Sequence, residues 1–307
     1  MTDDDLPIID CHHHFWDLSL RRHPWLAPDV LIPFRYGDYS SIKRDFMPDT
    51  YRAVTGPHHV VATVTMEGEW DADHLVEESA WMTGVAEQHG LPNAHVARAY
   101  LHRADAADVL AAQARYPIVR GIRHKPAAAP SPDRIEPGAP ASMSDPAWRR
   151  GYGQLAPNGL HFELQAPWWH ADELLGLIAA YPETPVVINH TFLPADRSPE
   201  ALSGWRAAMK RAASAPQTTL KLSGIGLKGR PWSLDDNRAI IRDSIEIFGT
   251  DRCMFASNFP VDGLCGSFET IYAGYKQATA DLAPADRLKL FHDNAIRVYR
   301  LNIKPLA

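Results

Sequence analysis

The residues best suited to chemistry stand near the N-terminus, in the stretch DCHHHFWD that begins at Asp10. Side chains alternate along a β-strand, so Asp10, His12 and His14 are expected on one face. Cys11 and His13 are then expected on the other face. Because neutral imidazole is a common ligand of zinc-like ions, His12 and His14 form a candidate metal pair. The alternative is a cluster of surface histidines.

Further polar side chains stand at or near the ends of strand-like runs later in the chain. They are Arg123, His124, Glu163, Gln165, His190 and Asn258. In a barrel of parallel strands, the carboxyl ends of the strands form the active face. Each residue alone is compatible with a satisfied buried polar group, but their occurrence at the same end favours a functional site.

The elements that must position these residues alternate between two patterns. Eight short apolar runs read as strands, at 7–14, 60–67, 94–101, 118–124, 160–166, 185–191, 218–224 and 252–258. Amphipathic helices are predicted between or after them, at 72–90, 171–182, 199–214, 237–250 and 283–301. This alternation predicts an α/β fold, a (β/α)8 TIM barrel that forms one domain over 1–307. An open doubly wound sheet is the alternative, but no glycine-rich phosphate loop supports it.

Two long segments interrupt the alternation, at 15–57 and 126–147. Both follow predicted strands, so in a barrel both lie at the mouth. Long ordered loops often form lids or binding walls. The second segment is rich in Pro, Ala and Ser, and a flexible insertion is an equal alternative for it.

Composition narrows the classes of partner. The 307 residues are 45% hydrophobic and carry a net charge of −6, without a long Lys/Arg run, which argues against nucleic acid. No apolar run of about 20 residues indicates a membrane span. Three cysteines without close spacing indicate reduced thiols, and the acidic MTDDDLP start is unlike a signal peptide, so we expect a cytoplasmic protein. A small-molecule substrate is therefore expected, and a homo-oligomer stays open.

Several short motifs together resemble the amidohydrolase superfamily, in the branch of lactonase-like barrels. They are DCHHHFW at 10–16, RDFMP at 44–48, GIRH at 121–124, NH at 189–190, KLSG at 221–224 and MFASNFP at 254–260. The resemblance runs across nearly the whole chain and implies a hydrolase on a TIM barrel. In the family, an HxH pair, a strand-six His and a strand-eight Asp form the metal and water-activating cluster.

The resemblance implies that His12, His14 and His190 hold a divalent ion, zinc first of all. Asn258 stands where the family has the strand-eight Asp, and Asn189 replaces the common Asp before the strand-six His. Some members of this branch work without a tightly bound metal. Three neutral imidazoles leave the full charge on zinc, which lowers the pKa of its bound water to about 7.

An amide cannot act as a general base, because it has no basic lone pair near pH 7. Asn258 can therefore be a weak metal ligand or an orienting hydrogen-bond partner, and candidates for the base are Glu163, Asp262 and His190. Each carboxylate has a structural alternative. Glu163 can form a salt bridge with Arg123, and Asp262 can cap the next helix.

Candidate substrate-binding residues are Arg123, His124, Lys221 and Trp16. The guanidinium of Arg123 can hold a carboxylate or polarise a carbonyl through two hydrogen bonds, or it can form a structural ion pair. Lys221 shares a strand face with Ser223 and can reach the same site or fill the barrel. Trp16 can wall a pocket for a ring or sugar, although aromatic residues more often belong to the core.

Three functions fit these residues. The first is a hydrolase that opens a lactone or related cyclic ester or amide, metal-dependent or metal-assisted, on a small carboxylate-bearing or sugar-like substrate. The second is a decarboxylase on the same barrel, which needs no water-activating base. The third is a ligand-binding barrel with a degraded catalytic centre, suggested by Asn189 and Asn258.

Overall fold

A computed structural model describes residues 5–303, which form a ring of eight parallel strands. The strands are β1 (Ile8–His13), β2 (Val60–Met66), β3 (Ala94–Arg98), β4 (Val119–Arg123), β5 (His161–Leu164), β6 (Val186–Ile188), β7 (Thr218–Leu222) and β8 (Cys253–Phe255). Each strand pairs with the next one along the chain. The predicted (β/α)8 barrel is confirmed, with a strand inside each predicted run. One domain over 1–307 stays a prediction.

Helices lie between the strands and after β8. They are α1 (Pro48–Val54), α2 (Leu75–His89), α3 (Ala106–Gln113), α4 (Pro146–Tyr152), α5 (Ala171–Ala180), α6 (Pro199–Ala213), α7 (Leu234–Phe248), α8 (Phe268–Ala278), α9 (Pro284–Leu288) and α10 (Asn294–Tyr299). The helix predicted at 283–301 is divided, because a π-helical segment at Lys289–Asp293 separates α9 from α10. Within residues 5–303, no helix combines the length and apolarity that a membrane crossing requires.

Local capping explains where several helices begin and end. The side chains of Ser198, Ser233 and Ser267 accept backbone N–H groups at the starts of α6, α7 and α8. A serine in this position satisfies a donor that the helix itself leaves free. At the other end of α2, Gly90 adopts φ 72°, the left-handed conformation that stops a helix.

The ring closes between β1 and the segment that follows β8. Asp10 is fully buried and accepts hydrogen bonds from the Ser257 backbone N–H (2.8 Å) and the Ser257 hydroxyl (2.5 Å). The backbone N–H of Asn258 donates to the His12 carbonyl at 2.7 Å. This seam joins parts of the chain about 250 residues apart and sets the predicted site residues His12 and Asn258 side by side.

The loop between β1 and α1, residues 14–47, is tied to itself and is called the first loop below. Paired backbone hydrogen bonds of 3.0 and 2.9 Å join Trp16 to Phe46 at its base. The Lys43 ammonium donates to the carbonyl of Ala27 at 2.9 Å, and the Tyr39 hydroxyl donates to that of Trp25 at 3.0 Å. The first loop is therefore an ordered wall of the barrel mouth.

Candidate functional site

An irregularity in β1 decides which of its side chains reach the barrel interior. The pairing register with β2 shifts between Asp10 and His13. As a result Asp10 accepts a hydrogen bond from the Tyr51 hydroxyl at 2.8 Å, and the His13 ring packs on the same Tyr51, 4.5 Å between centroids. The expectation that Asp10 shares a face with His12 and His14 is wrong, since the shift interrupts the simple alternation of a strand.

Three imidazoles meet at the carboxyl ends of β1 and β6. The ring centroids of His12 and His14 lie 5.3 Å apart, and those of His12 and His190 lie 4.5 Å apart. Burial lowers the pKa of each well below its usual value, and the positive charge of Arg123 adds to this for all three. The rings are therefore neutral near pH 7 and can accept protons or hydrogen bonds.

Hydrogen bonds identify which ring nitrogen of His14 is free. Its Nδ1 lies 3.2 Å from the carbonyl oxygen of Met66 and 3.1 Å from that of Glu67. A carbonyl only accepts, so Nδ1 carries the proton and Nε2 is the acceptor. Nδ1 of His190 lies 2.9 Å from the Ser223 hydroxyl oxygen, which can donate or accept. Both residues line the mouth cavity.

The backbone that carries His190 is unusual. Four consecutive residues, 190–193, adopt positive φ angles between 51° and 60°. Left-handed conformations of this kind are costly for residues with a Cβ, and they cluster at functional sites. Facing them, Gly224 also has a positive φ of 60°, and a Cβ there would lie 2.5 Å from Nδ1 of His190. The glycine allows the chain after β7 to approach the imidazole closely.

Arg123, at the end of β4, is held by the chain that follows β2. Its Nε donates to a Glu67 carboxylate oxygen at 2.6 Å and its Nη2 to the Glu67 carbonyl at 2.8 Å. The third nitrogen, Nη1, lies 3.4 Å from Nε2 of His12 and 3.3 Å from the side-chain oxygen of Gln165. Arg123 therefore pairs with Glu67 and does not form a salt bridge with Glu163.

Glu163 instead lies below the mouth in a closed network. Its carboxylate forms an ion pair with Lys221 at 2.9 Å and accepts from the Tyr299 hydroxyl at 2.8 Å. It also accepts hydrogen bonds from Asn189 (2.5 Å) and His161 (3.2 Å). Burial opposes ionisation, but Lys221 and His161 outweigh it and lower the pKa of Glu163 to about 2. Neither Glu163 nor Lys221 lines the mouth cavity.

Asp262 fixes the orientation of Asn258. The Asn258 amide donates through Nδ2 to Asp262 at 2.6 Å, so its carbonyl oxygen is directed away from this carboxylate. Asp262 also accepts from the Tyr36 hydroxyl at 2.8 Å and the Gly224 backbone N–H at 3.0 Å. Burial raises the pKa of Asp262, while Arg35 and these donors oppose the rise. Asp262 does not cap a helix; it connects the first loop with Asn258.

The mouth cavity has a volume of about 190 Å³. Four of the predicted site residues line it, namely His14, Arg123, His190 and Asn258. Its other lining side chains are Trp25, Ile32, Phe34, Arg35, Glu69, Lys125, Gln165 and Val261, with the backbone of Gly68. Cations, neutral imidazoles and an amide therefore face a partly apolar wall.

Two predicted substrate-binding residues lie away from this cavity. Trp16 is fully buried behind Trp25, and its indole donates to the Arg44 carbonyl at 2.8 Å. His124 accepts from the Trp148 indole at 2.9 Å and is almost wholly buried. Residues 126–147 contact the chain near α5, where Ala129 accepts from the Trp169 indole at 2.9 Å, and they do not line the mouth cavity.

The side chains at the mouth that could ligate a metal are not arranged to bind a divalent ion. Nε2 of His12 faces the cationic Arg123, and the other ring nitrogen of His12 is buried without a hydrogen-bond partner. Within the described part of the chain, no three His, Cys, Asp or Glu side chains are placed to hold a metal. The positive charges of Arg35 and Arg123 also oppose the binding of a metal cation beside His190. Zinc on His12, His14 and His190 stays a prediction.

Sequence reasoning missed Arg35 and Gly224. Arg35 is in the irregular first loop, where no strand or helix periodicity marks the positions that point inward. Gly224 stands in the quoted motif KLSG, but only the approach of His190 and Arg35 reveals its purpose. Phe34 and Tyr36 flank Arg35 and mark this part of the loop as rich in aromatic residues, but they do not indicate that the cation between them faces the cavity.

The chain belongs to the amidohydrolase family, since the sequence model of the family described as "Amidohydrolase" matches residues 9–301. It is 35% identical over 297 residues to the uncharacterised protein y4mH of Sinorhizobium fredii, covering 97% of this chain and 99% of that protein. It is 27% identical over 299 residues to L-fucono-1,5-lactonase of Burkholderia ambifaria, covering 96% of each.

Solved structures share the fold at lower identity. An amidohydrolase from Burkholderia multivorans with bound zinc is 23% identical, with a TM-score of 0.76 over 96% of this chain and 99% of that one. A 2,6-dihydroxybenzoate decarboxylase from Rhizobium is 15% identical, with a TM-score of 0.66 over 96% of this chain and 98% of that one. The barrel is thus shared by enzymes described as acting in different ways.

Proposed function

We propose that this chain hydrolyses a lactone or related cyclic ester or amide of a small carboxylate-bearing or sugar-like compound. One observation carries the proposal. The same cavity brings neutral acceptors, on His14, His190 and Asn258, opposite the guanidinium of Arg123. Hydrolysis of an ester needs both, because water must lose a proton while the carbonyl oxygen gains negative charge. Membership of the amidohydrolase family and the similarity to a lactonase support it.

Each residue has a defined part in the proposed reaction. The carbonyl oxygen of Asn258 accepts one hydrogen of the attacking water and orients it, and Nε2 of His190 accepts the other as a proton. The Nη1 group of Arg123 stabilises the oxyanion that forms when water oxygen bonds to the carbonyl carbon. When the ring C–O or C–N bond breaks, the proton on His190 passes to the leaving atom, which completes the ring opening.

A panel of lactones assayed by acid release in weakly buffered solution tests this proposal. We expect His190→Gln and Asn258→Ala each to lower kcat by about 100-fold or more, since each removes a group that acts on water. His89→Gln is the matched control, because His89 lies at the end of α2 and does not line the cavity. A correctly folded wild-type protein that opens none of the lactones, cyclic esters or amides would contradict the proposal.

Decarboxylation is the second candidate. Asn258 favours it, because removing CO₂ from a substrate requires no base that activates water. A decarboxylase shares the fold, which is compatible with this alternative. The 15% identity between the two chains supports a common fold and not a common activity. Release of CO₂ from an aromatic or enoic acid, without any lactone opening, would select this alternative.

The predicted zinc and the possible homo-oligomer remain separate proposals. Plasma mass spectrometry of purified wild-type protein, beside a His12→Ala/His14→Ala variant, tests the ion. Sedimentation velocity tests the assembly. No step of the proposed reaction uses a metal, since the His, Cys, Asp and Glu side chains of the described residues do not form a metal-binding set.

A further inference from the structure

Arg35 differs from the other cations at the mouth in its lack of a carboxylate partner. Its Nη2 donates to the Tyr36 hydroxyl at 2.7 Å and to the Gly224 carbonyl, both uncharged acceptors. Within residues 5–303, no carboxylate forms an ion pair with it, although the charge of nearby Asp262, which accepts from Tyr36, acts on it. The other two cations that line the cavity are paired, Arg123 with Glu67 and Lys125 with Glu69.

The guanidinium of Arg35 is nevertheless fixed in place. Tyr36, which accepts from it, donates in turn to the buried Asp262. Gly224 lies so close that a Cβ would collide with Arg35. The remaining nitrogens, Nε and Nη1, donate to no residue of the described chain, and Arg35 lines the cavity. A rigidly held guanidinium with unused donors on Nε and Nη1 can hold an anionic oxygen through charge-assisted hydrogen bonds.

The other polar groups of the cavity favour the same ligand over a polyhydroxylated one. A sugar lactone presents several hydroxyl hydrogens, each of which needs an acceptor. Glu69, the carboxylate that lines the cavity, already faces Arg98 at 2.6 Å as well as Lys125. The side-chain oxygen of Gln165 already faces Arg123. Apart from His14, His190 and Asn258, which the proposed reaction uses, the lining side chains therefore offer no acceptor that is not already facing a cation.

Part of the cavity wall is apolar. Trp25 and Phe34 stack with 5.8 Å between centroids and planes 11° apart, and Ile32 and Val261 line the cavity beside them. Such a wall suits a flat or hydroxyl-poor ring.

We propose that Arg35 anchors a substrate carboxylate, and that the natural substrate is a carboxylate-bearing, hydroxyl-poor cyclic ester or amide. The identification of the substrate as an ester or amide rests on the proposed hydrolysis. Binding of a carboxylate by Arg35 does not depend on turnover. The carboxylate lies on Arg35, the ring lies against Trp25 and Phe34, and the reacting carbonyl lies between His190 and Arg123. Arg123 then polarises the carbonyl and is not the carboxylate anchor.

Calorimetric titration with benzoate and with neutral benzamide tests the anchor without catalysis. We expect wild-type protein to bind benzoate at least 10-fold more tightly than benzamide, and Arg35→Gln to weaken benzoate about 10- to 100-fold while leaving benzamide unchanged. Arg22→Gln is the control, because Arg22 is in the same loop but pairs with Glu77 outside the cavity. Arg35→Lys keeps the charge and should retain part of the affinity if the Gln variant folds poorly.

The outcomes separate the anchor from the reaction. Benzoate affinity that is absent in wild type, or unchanged in Arg35→Gln and Arg35→Lys, overturns the anchor. Benzoate binding that depends on Arg35, in a protein that opens no lactone, supports the anchor and refutes the proposed hydrolysis. With active protein, Arg35→Gln should raise KM for a carboxylated lactone about 10- to 100-fold and leave KM for its methyl ester unchanged. A preference for neutral sugar lactones that survives this substitution contradicts the proposed substrate class.

Discussion

Replacing Lys221 by Met tests how the charged interior of the barrel is held together. Lys221 and Glu163 are fully buried and form an ion pair at 2.9 Å. Methionine keeps most of the apolar stem but removes the charge. Glu163 then remains in the interior with hydrogen bonds from His161, Asn189 and Tyr299 but without a neutralising cation.

The pKa of Glu163 gives the expected magnitude. Burial alone would raise it, but Lys221 and the hydrogen bonds lower it from 4.5 to about 2. This difference corresponds to about 3 kcal/mol of folding free energy at neutral pH. Removing one partner of a buried pair typically costs about 3–5 kcal/mol. We therefore expect Lys221→Met to lose about 3 kcal/mol at pH 7.

The pH dependence has a definite sign. A carboxyl group with a lowered pKa in the folded state stabilises fully above its unfolded pKa, here 4.5, and loses this contribution as pH falls towards 2. The deficit of Lys221→Met relative to wild type should therefore shrink between pH 4.5 and pH 2.

Urea unfolding followed by circular dichroism at pH 7 and pH 3 measures both effects. The double variant Lys221→Met/Glu163→Gln should recover most of the loss, because it removes the unpaired charge as well. A loss below about 1 kcal/mol for Lys221→Met at pH 7, or a double variant less stable than Lys221→Met, would refute the reasoning.

Three further predictions concern Glu78, a buried residue of α2, and the mouth. Burial raises the pKa of Glu78 to about 8, so its contribution to stability is full below about 4.5 and is lost as pH rises to 8; urea unfolding at pH 5 and 8.5 should show this loss in wild type and not in Glu78→Gln. Gly224→Ala should lower kcat/KM by about 100-fold, because its Cβ displaces His190 and Arg35, and steady-state kinetics with a stability control will check this. Arg123→Met should retain more zinc than wild type after dialysis, measured by plasma mass spectrometry, because Arg123 no longer faces His12.

The barrel was predictable because strand and helix periodicities alternate clearly along the chain. Strand ends also identified residues that do line the mouth, namely His14, Arg123, His190 and Asn258. This follows from the geometry of parallel strands, whose carboxyl ends meet at one face whatever the loops do.

The partnerships between charges were not predictable in the same way. Glu67 follows β2 and pairs with Arg123, whereas Glu163 on the adjacent β5 pairs with Lys221 across the interior. Which cation a carboxylate selects depends on side-chain direction and reach across the barrel, which spacing in the chain does not encode. The register shift in β1 and the placement of Arg35 depend on backbone irregularities of the same kind.

The seam between Asp10 and Ser257 has a consequence for the kinetics of folding. These hydrogen bonds join residues 247 positions apart, and the backbone contact between Asn258 and His12 spans a similar distance. Such long-range contacts are entropically costly to form, so they are expected late in folding, after the local helices. His12 and Asn258 come together only when this seam closes. In a refolding experiment, recovery of ligand binding at the mouth should therefore lag behind recovery of helical signal, and would report on closure of the ring.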